Sequence, residues 1–263
     1  MRPPSTIDDT LSYPSQLVAL ASRSALQLAG PPTSARRKEA VRRLRRQSLW
    51  LLAIGAVLVV VLMFGADAAE IRMMPPRGSP DVWPARFITD FGKDIDVMAV
   101  LAAALVVMAL MFPLLRGVAR TRLLRVTSHV EYLLLAVALP VAFAELIKYA
   151  VGRGRPFVGG KANPFNFAPF TGTEAYFSFP SAHSVTAFAL AFGVAAIWPR
   201  LTVPMFIYAL LIAASRLALL AHHPSDVVGG AVIGLLGSLA MRTWFATREI
   251  GFVIEADGTI VAR

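Results

Sequence analysis

Ser215-Arg216-Leu217-Ala218-Leu219-Leu220-Ala221-His222-His223-Pro224-Ser225-Asp226 joins two apolar runs. The run before His222 extends from Leu201 to Ala221 and holds Arg216 near its end. The run after Asp226 extends from about Val227 to Phe245 and holds Arg242 close to its exit. Charged and titratable side chains are costly in lipid, so an arginine, two histidines and an aspartate between two hydrophobic segments need a reason. Four more apolar runs lie upstream: Ser48 to Ala66, Val97 to Leu115, Tyr132 to Tyr149 with Glu145 and Lys148, and Ser181 to Trp198 with His183. A membrane crossing takes roughly 20 residues as a helix. Backbone in lipid must satisfy its own hydrogen bonds. Each run therefore reads as a transmembrane helix, and the expected fold is an all-α membrane protein, a bundle of six spans.

Composition agrees. Of 263 residues, 56% are hydrophobic and only 16% are charged, and the mean hydropathy is +0.62. A soluble domain carries about 25% charged residues. The net charge of +10 raises nucleic acid as a partner, but its placement argues against one. Much of the excess sits in Arg36-Arg37-Lys38 and Arg42-Arg43-Leu44-Arg45-Arg46, just ahead of the first apolar run. The positive-inside rule puts charge there, whereas a nucleic-acid reader carries its basic stripe on a folded polar face. With no cysteine there is neither a disulfide nor a thiolate metal site.

Three segments follow. Residues 1–47 read as a basic cytoplasmic arm, polar and loose, with a weakly amphipathic stretch from Gln16 to Leu28. Residues 48–245 form the six-span domain, and residues 246–263 a cytoplasmic tail. In that tail Phe252-Val253-Ile254-Glu255 and Thr259-Ile260-Val261 flank Ala256-Asp257-Gly258, a small β-hairpin. The basic connections Arg116 to His129 and Trp198-Pro199-Arg200 fall on the same side as both termini, which is assigned to the cytoplasm. The opposite, outer side receives Asp67 to Asp96, Ala150 to Pro180 and the His222–Ser225 turn. Within Asp67 to Asp96, Trp83 to Gly92 reads either as a short interfacial helix or as a loop anchored by an aromatic residue.

Chemistry-bearing residues fall into three groups on that outer side. The first is Lys148-Tyr149-Ala150-Val151-Gly152-Arg153-Gly154-Arg155-Pro156. Lys148 and Arg155 are two fixed cations suited to a phosphate, although on their own they read sooner as side chains snorkelling to headgroups. The second is Pro180-Ser181-Ala182-His183. Ser181 is a favoured N-cap, free N–H groups at a helix start bind anions, and His183 is placed to donate a proton. A capped helix with an interfacial histidine is the plain alternative. The third is the opening stretch. Pro224 stops the fifth helix, Ser225 caps the sixth, and Asp226 fixes the tautomer of His222 so that its other nitrogen can attack. His223 competes for that role on spacing alone. A hydrophilic turn leaves Arg216 inside the apolar run unexplained. Glu145 reads as a salt-bridge partner of Lys148. Arg153 and Lys161 read as solvated loop residues sooner than as added positive charge at the mouth of a pocket.

Taken together the groups resemble the phosphatase motif of the type 2 phosphatidic acid phosphatase (PAP2) superfamily. The matching positions are Lys148 and Arg155-Pro156, then Pro180-Ser181-Ala182-His183, then Ser215-Arg216, His222 and Asp226. Ala182 stands where the family usually has glycine; the position supplies a backbone N–H, which alanine retains. The resemblance implies a PAP2-like helical bundle and a lipid phosphatase that needs no metal or other cofactor. It implies catalytic roles for His222 as nucleophile, Asp226 as its orienting partner and His183 as general acid. Lys148, Arg155, Ser181, Ala182 and Arg216 then bind the phosphate. The implied partners are the bilayer and a lipid phosphate or diphosphate, with no nucleic acid, and the implied location is a bacterial inner membrane with the site facing the periplasm. Two other functions remain open on the sequence: transfer of the phosphoryl group to a second lipid, and anionic-lipid transport or scaffolding that uses the cations alone.

Overall fold

Hydrophobic runs of this length organise the chain as helices, and the computed structural model describes residues 10–160 and 162–263. Residues 1–9 and Lys161 lie outside the described residues. The helices are α1 (Tyr13–Ala29), α2 (Arg37–Gly65), α3 (Asp67–Met73), α4 (Trp83–Asp90), α5 (Asp94–Met111), α6 (Gly117–Val151), α7 (Ala182–Ile197), α8 (Thr202–Ala218) and α9 (Pro224–Thr247). Strands β1 (Phe252–Ile254) and β2 (Ile260–Ala262) form the expected antiparallel hairpin, with Val253 opposite Val261.

Five of these segments are long and apolar enough to cross a membrane: 37–65, 80–114, 117–151, 199–218 and 224–247. The six-span expectation is corrected at the fourth run. Helix α7 has 16 residues, about 24 Å at 1.5 Å per residue, short of a hydrocarbon layer of about 30 Å. It packs against α5, α6, α8 and α9 and faces protein more than lipid. A central helix in this position is freed from matching the bilayer.

Close approach between α7 and α9 depends on small residues, as helix pairs in lipid require. A Cβ at Gly230 would lie 2.5 Å from the Ser181 carbonyl oxygen and 2.9 Å from Ser184 Cβ. The gap left by Gly230 lets the start of α9 lie against the start of α7, where the Ser181 N–H reaches the Asp226 carbonyl at 3.1 Å.

One end of the bundle holds α1 and the C-terminal hairpin. There Tyr132 of α6 stacks edge-on against Phe245 and Phe252, with ring centroids 5.6 and 4.9 Å away. Residues 16–28 are part of α1, where a loose arm was expected. The Trp244 indole donates to the Leu28 carbonyl at 3.2 Å, the Arg248 guanidinium to the Gly30 carbonyl at 3.0 Å, and the Ser24 hydroxyl to Glu131. These bonds give the weakly amphipathic stretch the tertiary partners that an isolated helix of this length lacks. Helix α2 begins at Arg37, so the basic cluster continues into the first span as a single helix. At the other end, α3, α4, the 152–181 connection and the 219–223 turn come together, and α4 turns Trp83 to Asp90 into the short helix that the sequence left open.

Candidate active site

Helix α8 ends at Ala218, earlier than Pro224 led one to expect. Leu220 then adopts a left-handed conformation with φ 48°. Pro224 is the first residue of α9, where its missing N–H costs nothing. His223, in place of Ser225, is the N-cap. Asp226 sits at the third position of α9, and its Oδ2 accepts the His223 N–H at 2.9 Å. The turn therefore presents His222 to the interior.

The His222 imidazole is 3% exposed. Its Nδ1–H donates to the Ser178 carbonyl at 2.7 Å, which leaves the Nε2 lone pair free. Asp226 Oδ2 lies 3.9 Å from Nδ1, beyond hydrogen-bond range. The aspartate is engaged elsewhere: Oδ2 accepts the Ser178 hydroxyl at 2.5 Å and Oδ1 accepts Arg153 Nη1 at 2.5 Å. Asp226 thus reaches His222 through Ser178, by holding the residue whose carbonyl orients the ring. Burial, followed by the charges of Arg216, Arg155 and Lys148, lowers the His222 pKa well below its ordinary value, against the opposing Ser178 carbonyl bond. The ring is neutral at pH 7, the state in which it is a nucleophile. His223 is fully buried and also lowered, chiefly by burial. Its Nε2 faces the Gly154 carbonyl at 3.3 Å.

Cations from three separate segments act on His222. Lys148, 7% exposed, ends α6 and donates to Glu145 at 2.5 Å. Arg155 donates to the Glu174 carbonyl and carboxylate, both at 2.9 Å. Arg216 donates through Nη1 to Thr89 of α4 at 2.6 Å, while its buried Nε has no partner. His183, on the first turn of α7, is within electrostatic reach of Arg216, Lys148, Lys93 and Arg155. Ser181 and Ala182 start the same helix, and the buried Ser181 hydroxyl also lacks a partner. Unsatisfied buried donors are rare in folded proteins. Here two of them, a helix start and three cations suit one oxyanion.

Arg153 was read from the sequence as solvated, and the structure corrects this. It is 1% exposed and carries the largest fully buried side chain of the described residues. Its guanidinium bridges Asp226 at 2.5 Å and Asp67 at 2.7 Å, and also donates to Ser225 Oγ at 2.6 Å and the Pro164 carbonyl at 3.0 Å. Asp67 in turn accepts the Ser225 N–H at 3.0 Å and its hydroxyl at 2.5 Å. One arginine thus ties α3, the 152–181 connection and the start of α9 together under His222. Sequence reasoning missed Arg153, Asp67, Ser178 and Thr89. The available signal was an arginine between Gly152 and Gly154, with Asp67 just past the end of a span. Gly152 closes α6 in a left-handed turn, φ 57°.

Within a bundle of long apolar helices, this arrangement sets a buried, neutral imidazole in the field of three cations beside a helix start. Residues 130–250 match the model of the PAP2 superfamily. It is 36% identical over 132 residues to a lipid A 1-phosphatase of Rhizobium johnstonii, covering 50% of this chain and 54% of that one. It is 28% identical over 221 residues to a lipid A 1-phosphatase of Rhizobium etli, covering 84% of this chain and 94% of that one. The chain therefore spans about half the length of the first relative and nearly all of the second. The fold is similar to the crystal structure of the first transmembrane PAP2 type phosphatidylglycerolphosphate phosphatase from Bacillus subtilis. The TM-score is 0.53 at 21% identity, over 74% of this chain and 94% of that one.

Proposed function

We propose that the chain hydrolyses a phosphate from a membrane lipid at the outer face of a bacterial inner membrane, through a phosphohistidine on His222. The observation that carries this reading is the 2.7 Å bond from His222 Nδ1 to the Ser178 carbonyl, which leaves Nε2 unprotonated in the field of Arg216, Arg155 and Lys148. In the first step the Nε2–P bond forms, the P–O bond to the lipid breaks, and His183 gives its proton to the leaving oxygen. In the second step His183 takes a proton from water, the water oxygen bonds to phosphorus, and the P–N bond breaks. The cations and the α7 start stabilise the charge on the phosphoryl oxygens in both steps.

A lipid substrate is supported by an apolar groove of about 720 Å³ between α2, α6 and α9. Gly55, Val59, Phe143 and Ile147 line it, and it reaches Phe179 and Gly229 beside Ser178. No charged residue among the described residues lines it, so it suits acyl chains whose headgroup lies at His222. Lipid A bearing a phosphomonoester is the first substrate we name, because both Rhizobium relatives carry that activity in their names. The test is phosphate release by purified protein from lipid A, phosphatidic acid, phosphatidylglycerol phosphate and an isoprenoid diphosphate, with trapping of the labelled enzyme. Release from lipid A with label on His222 is expected. Release without any label on the protein would remove the covalent step; release from none of the four would remove the phosphatase reading.

A further inference from the structure

At the end of the bundle away from His222, α2, α7, α9 and the hairpin enclose a cavity of about 560 Å³. Its polar lining includes Arg43 and Gln47 from α2, Arg242 from α9 and Thr259 from the hairpin, and Phe192 and Trp50 contribute aromatic walls. No aspartate or glutamate among the described residues lines it. Arg242 Nε is buried with no hydrogen-bond partner, and its guanidinium carbon is 5.0 Å from the Phe192 ring centroid. Neither Arg43 nor Arg242 forms an ion pair among the described residues. The nearby carboxylates of Glu39 and Asp257 are exposed, and Asp257 accepts the Thr259 N–H at 2.9 Å. Arg43 feels only the exposed Asp257 carboxylate, and Arg242 turns a buried, unpartnered Nε toward the same void, so the pair is short of negative charge there. An anion would supply what the protein does not.

The depth of the cavity says how that anion arrives. Helix α2 changes from basic to apolar between Arg46 and Ser48. Trp50 stands at this boundary, 65% exposed, where indoles sit at headgroup level. Beyond Trp50 the helix surface is lipid-facing, with Leu52 and Ile54 exposed. We propose that this cavity binds the phosphodiester headgroup of an anionic membrane lipid from the leaflet on the α1 side, a second lipid site separate from the one at His222. The headgroup phosphate meets Arg43 and Arg242, and the acyl chains run along α2 past Trp50. Basic clefts between spanning helices bind anionic headgroups in this manner.

The test titrates protein purified in zwitterionic detergent with phosphatidylglycerol and counts bound lipid by native mass spectrometry. Because the pocket at His222 is intact in every variant, differences report the second site alone, and they stand whether or not the phosphatase reading survives. The Arg43→Gln/Arg242→Gln protein is expected to bind one phosphatidylglycerol on the order of tenfold more weakly than the parent, as loss of charge-assisted bonds implies. Phosphatidylcholine binding should not change. Arg43→Glu, at a half-buried helix position, keeps the test open should the double variant unfold, and a weakening at least as large is expected. Equal phosphatidylglycerol binding by Arg43→Glu and the parent would overturn the proposal. Displacement of the lipid by millimolar inorganic phosphate would also overturn it, in favour of a free-anion site.

Discussion

Arg153→Lys probes whether the chain beneath His222 is a structural keystone or a solvated loop. The guanidinium uses Nη1 for Asp226 and Ser225, Nη2 for Asp67, and Nε with Nη2 for the Pro164 carbonyl. Lysine keeps the charge but brings three donors to a single point. It can serve one of the two carboxylates well, leaving the other buried without its cation. A hydrogen bond to a charged group contributes about 1.5–3 kcal/mol, and a broken buried pair costs about 3–5 kcal/mol. With part of that recovered, a loss of about 2–4 kcal/mol is expected. For a chain of this size each kcal/mol shifts Tm by roughly 2–4 °C, so thermal unfolding in detergent should fall by about 5–12 °C. Turnover should fall as well. Asp226 holds the Ser178 hydroxyl and Ser178 orients His222, so a small displacement is passed to that imidazole and, on the proposed mechanism, costs on the order of 100-fold. A cycle with Asp67→Asn isolates the pair: the double variant should be less destabilised than the sum of the singles, by about 1–3 kcal/mol. A Tm within about 1 °C of the parent together with unchanged turnover would refute the argument and restore Arg153 to the loop.

Four further outcomes follow from the same geometry. His222→Ala should abolish phosphate release, whereas His223→Ala should retain much of it while melting earlier, since His223 caps α9 and is fully buried; equal activity of His222→Ala and the parent would reject the mechanism. EDTA should leave turnover nearly intact, and full loss restored by a divalent ion would require a metal in the reaction. Gly229→Ala places a methyl 2.5 Å from the Phe179 ring; overpacking of this kind costs about 1–3 kcal/mol, so kcat/KM on long-chain lipid should drop about tenfold, and an unchanged value would detach Phe179 from the site. Glu70 has its pKa raised to about 8 by burial, then by Asp67 and Asp226. The folded protein therefore holds a proton that the unfolded chain releases above its ordinary value of 4.5. Stability should be greatest below that value, decline as pH rises through the interval, and level off above about pH 8. Glu70→Gln should flatten the decline, which a Tm series against pH would show or deny.

The cations and histidines are legible in the sequence because each group of types, such as Ser181 to His183 or Arg216 with His222, is compact along the chain. It concealed what supports them. Arg153 meets Asp226 and Asp67 across 73 and 86 residues, and a glycine-flanked arginine in a polar connection looks the same in water as in a core. Its burial depends on α3 folding back after the first span, which places Asp67 against the start of α9. The misreading at Pro224 has a related origin. Proline ends one helix or opens the next with equal ease, and here Leu220, a residue with no bias toward positive φ, has already ended α8. Starting α9 at Pro224 turns Asp226 back toward the His223 N–H and leaves it 3.9 Å from the imidazole. The spacing of His222 and Asp226 thus marks a true neighbourhood without revealing the bond that orients the ring. That bond belongs to the Ser178 carbonyl, a backbone atom that every residue type carries and that residue identities do not reveal.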